Sequence, residues 1–190
     1  TATTLRNDIP ALRAAIDAAG HPALFAVDCI ASLACDEYRM DEWGADVTVS
    51  ASQKGLMTPP GLGFVWFSDR ARDRCRGSDL RTPYWDWTTR SFGTEFWQHF
   101  CGTAPTHHLY GLRAALDMIL EEGLPAVWAR HDALARAVWT AFDHWGQGNP
   151  EIALNVTDPA HRGRSVTAAR LGAPHATRLR DWTERHAGVT

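Results

Sequence analysis

The stretch Ser50-Ala-Ser-Gln-Lys-Gly-Leu-Met-Thr-Pro-Pro-Gly-Leu-Gly63 is the part of the sequence from which fold and function are interpreted. Its Lys54 is the only lysine among the 19 basic residues of the chain. Small residues, an amide, two prolines and three glycines surround this lysine, and such residues favour shaped turns. The stretch therefore predicts a loop that holds one amine in a defined place. Arginine-rich codon usage, which leaves a single lysine by chance, is the alternative interpretation.

Short strands are predicted on both sides of this loop and once before it. Residues 45–50 and 63–68 are β-branched or aromatic runs that favour strands, so the lysine is expected on a rigid frame. Residues 23–27 form a continuous apolar run, which predicts a strand buried on both faces and ending at Asp28. In a parallel α/β sheet the functional groups lie beyond the carboxyl ends of the strands. Asp28 is therefore a candidate site residue.

Helix signals occupy most of the remaining chain and suggest its organisation. Caps and apolar spacing predict helices over residues 9–20, 69–76, 109–123 and 127–146. Residues 165–169 then predict a strand, and residues 176–186 a helix. We assign residues 1–123 to a large domain, 124–149 to a long connecting helix and 150–190 to the start of a small C-terminal domain. A unit of about 40 residues is difficult to stabilise alone, so a segment of a longer protein is expected.

Residues 82–100 are crowded with aromatic side chains, and no helical or strand period organises them. Large rings contribute most at clefts and interfaces, so the segment is interpreted as the cap of a cleft or a subunit interface. A loop packed onto its own domain is the alternative. The rings are those of Tyr84, Trp85, Trp87, Phe92, Phe96, Trp97 and Phe100.

Composition excludes several classes of function. The net charge of −3 and the scattered arginines give no reason to expect a nucleic-acid partner. No apolar stretch approaches the roughly 20 residues that span a bilayer, so no membrane association is expected and the protein is predicted to be cytoplasmic. No metal site is predicted, since the histidines are interpreted as helix-surface or core residues. The cysteines lack CxxC spacing and are interpreted as reduced thiols: Cys29, Cys35, Cys75 and Cys101.

Lys54 and Asp28 together suit a cofactor that forms an imine. A lysine amine condenses with the aldehyde of pyridoxal 5'-phosphate, and the ring nitrogen of that cofactor needs an anionic partner. The spacing alone is not specific, because many Rossmann-like proteins carry an acid at the end of a strand.

Four motifs make the interpretation specific. They are Val-Asp-Cys-Ile-Ala-Ser-Leu at 27–33, Met-Asp-Glu-Trp-Gly-Ala-Asp at 40–46, Ser-Ala-Ser-Gln-Lys-Gly at 50–55 and Pro-Pro-Gly at 59–61. The sequence resembles the class V aminotransferases of fold type I, in particular the serine- and alanine-glyoxylate aminotransferases. With gaps, the resemblance runs from Thr1 to about His131. It implies an α/β fold, with part of a mostly parallel large-domain sheet followed by the start of a small α/β C-terminal domain.

The resemblance also implies a role for each matching residue. Lys54 is expected to form the internal aldimine and to transfer the proton between the substrate Cα and C4′ of the cofactor. Asp28 is expected to pair with the pyridinium nitrogen, and Ile30 to pack against the ring. Gln53 is expected to bind the cofactor phosphate. Thr103 is expected to reach the phosphate in the partner's site of a homodimer.

Two positions depart from the family pattern, and parts of the family's site are missing. Phe100 stands where relatives often have a tyrosine, which removes a hydrogen bond of about 1 kcal/mol to the phosphate. Thr4 stands where glycine is usual in a motif that makes Thr3 a neighbour of the cofactor's ring hydroxyl. The family's glycine-rich phosphate loop lies before Thr1, and its carboxylate-binding arginine lies after Thr190. The segment is thus expected to hold the catalytic lysine without a complete site.

Three hypotheses for function follow. The first is transamination between a small amino acid, such as serine or alanine, and a small 2-oxo acid, such as glyoxylate or pyruvate. The second is a cysteine desulfurase, but those enzymes usually place histidine before the lysine, where this chain has Gln53. The third is a non-catalytic module on an aminotransferase scaffold. The sequence leaves the substrates and the activity of the isolated segment open.

Overall fold

The computed structural model describes residues 2–189 and contains two small sheets flanked by helices. The strands are β1 (Ala26–Asp28), β2 (Val47–Ala51), β3 (Gly63–Phe67), β4 (Ile152–Leu154) and β5 (Ala169–Leu171). The helices are α1 (Ile9–Ala18), α2 (Asp69–Arg76), α3 (Trp87–Phe92), α4 (Thr106–Glu122), α5 (Leu124–Trp145) and α6 (His175–Ala187).

The first sheet has the order β1-β2-β3. Strand β1 pairs in parallel with β2, with Asp28 opposite Val49, and β2 pairs antiparallel with β3. All three predicted strands are confirmed, although β1 begins at Ala26 rather than at residue 23. The prediction that β1 is buried on both faces was wrong. Val27 packs in a core cluster, whereas Ala26 and Asp28 are exposed and border an open cavity of about 630 Å³.

The predicted helices around the sheet are confirmed, and their caps explain their bounds. The Asp8 carboxylate accepts a hydrogen bond from the Ala11 amide at 2.9 Å and begins α1. The Ser68 hydroxyl accepts one from the Ala71 amide at 3.2 Å and begins α2. Gly123, with a φ of 83°, alone separates α4 from α5.

The aromatic segment, residues 82–100, is more regular than its sequence predicted. It contains α3 and a 3-10 turn (Phe96–Phe100). The Asp86 carboxylate caps α3, and reciprocal hydrogen bonds between Glu95 and Gln98 begin the 3-10 turn. Local capping therefore orders a segment that lacks apolar periodicity. Trp87 stacks on Phe67 of β3 at 4.8 Å, but most of the other large rings are exposed: Tyr84, Trp85, Phe92, Phe96 and Trp97.

The C-terminal unit, residues 150–189, differs from its prediction. The strand predicted at 165–169 was wrong, since β5 begins at Ala169 and pairs antiparallel with β4, which the sequence did not reveal. Strands of three residues are too short for a period to be recognised. Residues before β5 instead contact α5, as Thr167 accepts a hydrogen bond from the Trp139 indole at 3.1 Å. Helix α6 is confirmed.

Core packing joins the elements around the lysine. One cluster combines Ala34 after β1, Leu56 of the lysine loop, Ile119 of α4 and Val127 of α5. No helix within residues 2–189 is both long and apolar enough to cross a membrane. Within the same residues, no group of three or more histidine, cysteine or acidic side chains has the arrangement of a metal site. All four cysteines are free, as predicted.

Candidate active site

Asp28 and Lys54 lie at the same edge of the first sheet. Because β1 and β2 are parallel, their carboxyl ends meet at one edge, and Asp28 is the last residue of β1. Lys54 follows three residues after Ala51, the end of β2. The Cys29 amide donates to the Val49 carbonyl at 2.9 Å, which continues the pairing beyond β1. The topology thus places an amine and a carboxylate where α/β sheets carry ligands.

The buried Ser52 anchors the lysine loop, residues 52–62, through hydrogen bonds to its backbone. This residue is 0% exposed, and its hydroxyl donates to the Pro59 carbonyl at 2.8 Å and accepts from the Leu62 amide at 3.3 Å. The Thr58 hydroxyl donates to the Ser52 carbonyl at 3.0 Å. Gln53 and Lys54 are exposed immediately after this buried anchor. The loop therefore presents two exposed polar side chains from a base whose own polar groups are hydrogen-bonded.

Gly55 brings the loop into close contact with the turn that follows β1. A Cβ atom at this position would lie 2.9 Å from Cys35 Sγ and would overlap the Leu33 carbonyl oxygen. Backbone atoms cannot move aside as the end of a flexible side chain can. Only glycine therefore allows the loop to approach residues 33–35.

His108 of α4 fixes the other end of the loop. Its Nε2 lies 3.1 Å from the Pro60 carbonyl oxygen, which can only accept, so Nε2 carries the hydrogen and donates. Gly61 has a φ of 149°, and a Cβ atom there would lie 2.5 Å from the same Nε2. The sequence interpretation treated His108 as an ordinary helix residue and missed this contact, which joins residues 48 positions apart.

The Asp28 carboxylate is oriented by its own turn. Its Oδ1 accepts a hydrogen bond from the Ile30 amide at 2.8 Å. Its other oxygen accepts no hydrogen bond from residues 2–189 and is available to a ligand. Ile30 is half-buried beside it. Lys54 likewise forms no ion pair with any residue between 2 and 189, so its amine is not committed to a carboxylate of this chain.

Cys29 and Tyr38, which line the same cavity as Asp28, are neutral at neutral pH. Burial raises the pKa of the Cys29 thiol to about 11, so the thiol stays protonated at neutral pH. Burial also raises the pKa of the Tyr38 hydroxyl, which shares a hydrogen bond of 2.5 Å with the Thr48 hydroxyl. Neither of these two neighbours of Asp28 therefore adds a negative charge at neutral pH.

Among residues 2–189, no hydrogen bond joins Thr3 or Thr103 to Asp28, Ile30, Gln53 or Lys54. Thr103 is exposed, three residues before α4. The Thr3 carbonyl accepts a hydrogen bond from the Asn155 side chain at 2.8 Å, and its hydroxyl lies 3.4 Å from the Leu5 amide. The first residue of the motif that includes Thr3, Thr1, lies outside the described residues. The structure thus brings Asp28, Ile30, Gln53 and Lys54 to one sheet edge, while the roles of all six predicted site residues stay predictions.

Asp28 also borders the open cavity of about 630 Å³. Asp28, Cys29 and Tyr38 line it on the sheet side, and Thr4, Arg6 and His161 line it on the other. Lys54 is not among its lining residues. The sheet edge with the free amine and this cavity are therefore separate features that share the Asp28 carboxylate.

Comparison with known proteins gives consistent results. The family model described as Aminotransferase class-V matches residues 2–188. The L-aspartate–glyoxylate aminotransferase of Paracoccus denitrificans (strain Pd 1222) is 40% identical over 172 residues, which are 90% of this chain and 42% of that protein. The serine–glyoxylate aminotransferase of Arabidopsis thaliana is 42% identical over 153 residues, which are 78% of this chain and 37% of that protein. The chain spans less than half the length of these two relatives.

A solved structure supports the fold. The crystal structure of alanine–glyoxylate aminotransferase from Nostoc sp. superimposes with a TM-score of 0.82 at 23% identity and covers 98% of this chain and 48% of that one. The predicted α/β fold, part of a fold type I enzyme, is confirmed by this likeness. Since the family model matches residues 2–188, the chain belongs to the class-V aminotransferase family.

Proposed function

We propose that the full-length protein is a pyridoxal-phosphate-dependent aminotransferase in which Lys54 is the catalytic lysine. The observation that carries this proposal is the uncommitted amine of Lys54 on a loop anchored by Ser52, at the sheet edge where β1 ends in Asp28. Family membership supports the same assignment.

The residues at this edge fit the cofactor. When bound, pyridoxal phosphate supplies an aldehyde that condenses with amines and a ring that accepts electrons from the substrate Cα. Asp28 has a free carboxylate oxygen for the ring nitrogen, and the Gln53 side chain is exposed beside the lysine for the phosphate. Ile30 offers an apolar surface for the ring. Each of these four residues is proposed to act as the family resemblance implies.

Lys54 is proposed to hold and move a proton as well as to bind the cofactor. An amine that is free of carboxylate partners can take a proton from the substrate Cα and return it to another carbon. The rigid base of the loop, with Ser52 fully buried, keeps the amine in place between these two transfers. Asp28 assists because its charge keeps the ring nitrogen protonated.

The substrates are proposed from the names of the relatives. Both sequence relatives are named for glyoxylate, one with aspartate and one with serine as the second substrate. We propose glyoxylate as the amino acceptor and a small amino acid, such as serine, alanine or aspartate, as the donor. A cytoplasmic homodimer in which Thr103 reaches the partner's site belongs to the same proposal.

Activity of the purified full-length protein tests the proposal. With added cofactor and glyoxylate, we expect glycine to form from at least one of the three donors. Lys54→Arg keeps the positive charge but removes the nucleophilic amine, so it is expected to lower kcat by at least about 1000-fold. Arg113→Ala, which removes only an exposed ion pair on α4, serves as the control. Full activity in the Lys54→Arg variant would exclude this lysine as the catalytic residue.

A further inference from the structure

The turn of residues 29–36 contacts both parts of the candidate site, Asp28 and the lysine loop. It starts directly after Asp28, where the Leu33 amide donates to the Cys29 carbonyl at 2.9 Å. It ends at Asp36, whose amide donates to the Ser32 carbonyl at 2.8 Å. Residues 33–35 of this turn are the surface on which Gly55 rests. A displacement of the turn would therefore move both the Asp28 end of the site and the lysine loop.

The turn ends in a buried charge. The Asp36 side chain is 3% exposed, and its Oδ1 accepts a hydrogen bond from Arg164 Nη1 at 2.8 Å. Its Oδ2 accepts from the Arg164 backbone amide at 3.3 Å, and Arg6 lies farther away at 3.8 Å. A buried carboxylate is tolerated only when it is paired, so Arg164 is the main partner that keeps Asp36 in place.

Arg164 binds a third element at the same time. Its Nε donates to the Asp132 carboxylate of α5 at 2.6 Å, which holds the pKa of Asp132 below its usual range. One guanidinium therefore joins the turn after β1, α5 and the segment that leads into β5. The contact spans 128 positions of sequence between Asp36 and Arg164. Two nitrogens of one rigid planar group make these two contacts, whereas a lysine offers a single nitrogen on a flexible stem.

We infer that Arg164 of the C-terminal unit is a positioning residue for the Lys54 site, because it fixes through Asp36 the turn on which the lysine loop rests. The inference rests on the proposed function for the catalytic role of Lys54. The mechanical link from Arg164 to the loop stands on the contacts alone. Displacements of about 1 Å at a reacting group lower rates by as much as about 100-fold, so a link of this kind affects catalysis without touching the substrate.

Hydrogen–deuterium exchange of the full-length protein without cofactor tests the link. Arg164→Lys keeps the charge near Asp36 but loses the bridge to Asp132. We expect amide exchange in residues 29–36 and 52–58 to accelerate about tenfold, the change that corresponds to one lost charge-assisted hydrogen bond. Arg136→Lys is the matched control, since Arg136 pairs with Asp132 but is exposed and forms no ion pair with Asp36. Its loop exchange is expected to equal that of the wild type.

Unchanged exchange in both segments of a folded Arg164→Lys protein would overturn the inference, and so would an equal change in Arg136→Lys. If Arg164→Lys does not fold, the double variant Asp36→Asn with Arg164→Gln leaves no buried charge and is expected to show the same acceleration. Unchanged loop exchange there would also refute the inference. Binding of pyridoxal phosphate gives a separate readout, with the Kd of Arg164→Lys expected to rise about tenfold. Absence of cofactor binding by the wild type would instead refute the proposed function and leave the exchange result valid.

Discussion

The lysine loop and the aromatic segment differ in how their side chains are held. The loop has few large side chains, yet its Ser52 is fully buried and four of its backbone groups are bonded by side chains. The aromatic segment has many large rings, yet Trp85 is 73% exposed. Precise placement of a functional group thus depends here on small polar side chains and glycines that allow close backbone contact. Ring size alone does not produce burial. Four substitutions test this contrast, and the largest effect is expected for the closest contact.

Gly55→Ala should be the most damaging change in the lysine loop. The added Cβ would overlap the Leu33 carbonyl oxygen, so either the loop or the turn after β1 must move. We expect the free energy of unfolding to fall by about 3 kcal/mol, as measured by urea denaturation of the full-length protein. Gly63→Ala is the matched control, because its Cβ would meet no atom within 4 Å. Equal stability of the two variants would show that the loop does not rest tightly on the turn.

Ser52→Ala should have the next largest effect. It leaves the Leu62 amide and the Pro59 carbonyl without their side-chain partner in a partly buried place. A loss of about 2 kcal/mol is expected in the same denaturation experiment. Ser91→Ala on α3, where the residue is exposed, is the control and should change stability little. If Ser52→Ala is as stable as the wild type, the buried hydroxyl does not anchor the loop.

His108→Ala should cost less, because it removes one hydrogen bond to the Pro60 carbonyl. We expect a loss of about 1 kcal/mol, with faster amide exchange at residues 60–62. His107→Ala, an exposed neighbour on the same helix, should leave both quantities unchanged. Identical behaviour of the two histidine variants would contradict the assignment of His108 as the residue that fixes this end of the loop.

Trp85→Ala should have the smallest effect on the free energy of unfolding. Its ring is exposed and contacts Tyr84 edge-on at 4.8 Å, so a loss of about 0.5 kcal/mol is expected. The measurement is best made at several protein concentrations. A loss several times larger, or one that grows with concentration, would show that the ring is covered by another surface in solution. The contrast between the two regions would then hold only for the isolated chain.

The parts that the sequence predicted well depend on local signals. The N-caps Asp8 and Ser68, the glycine between α4 and α5, and the runs on both sides of Lys54 each act over a few residues. The strand runs predict that Asp28 and Lys54 follow neighbouring parallel strands, and the pairing of β1 with β2 confirms this arrangement.

The parts that were missed depend on distant contacts. Strands β4 and β5 have three residues each, and their pairing comes from packing against α5 rather than from a period of their own. The contacts of Arg164 with Asp36 and of His108 with Pro60 join positions that no local pattern relates. The exposed side of β1 could not be read from its apolar residues, because exposure depends on which elements cover the strand.

The most direct test of the central claim is chemical labelling of Lys54. The full-length protein is incubated with pyridoxal phosphate, reduced with borohydride and digested, and the peptides are analysed by mass spectrometry. Because Lys54 is the only lysine of this chain, any lysine adduct within it has one assignment. We expect a stoichiometric cofactor adduct on the peptide that contains Lys54. A protein that binds the cofactor but yields an unmodified Lys54 peptide would contradict it.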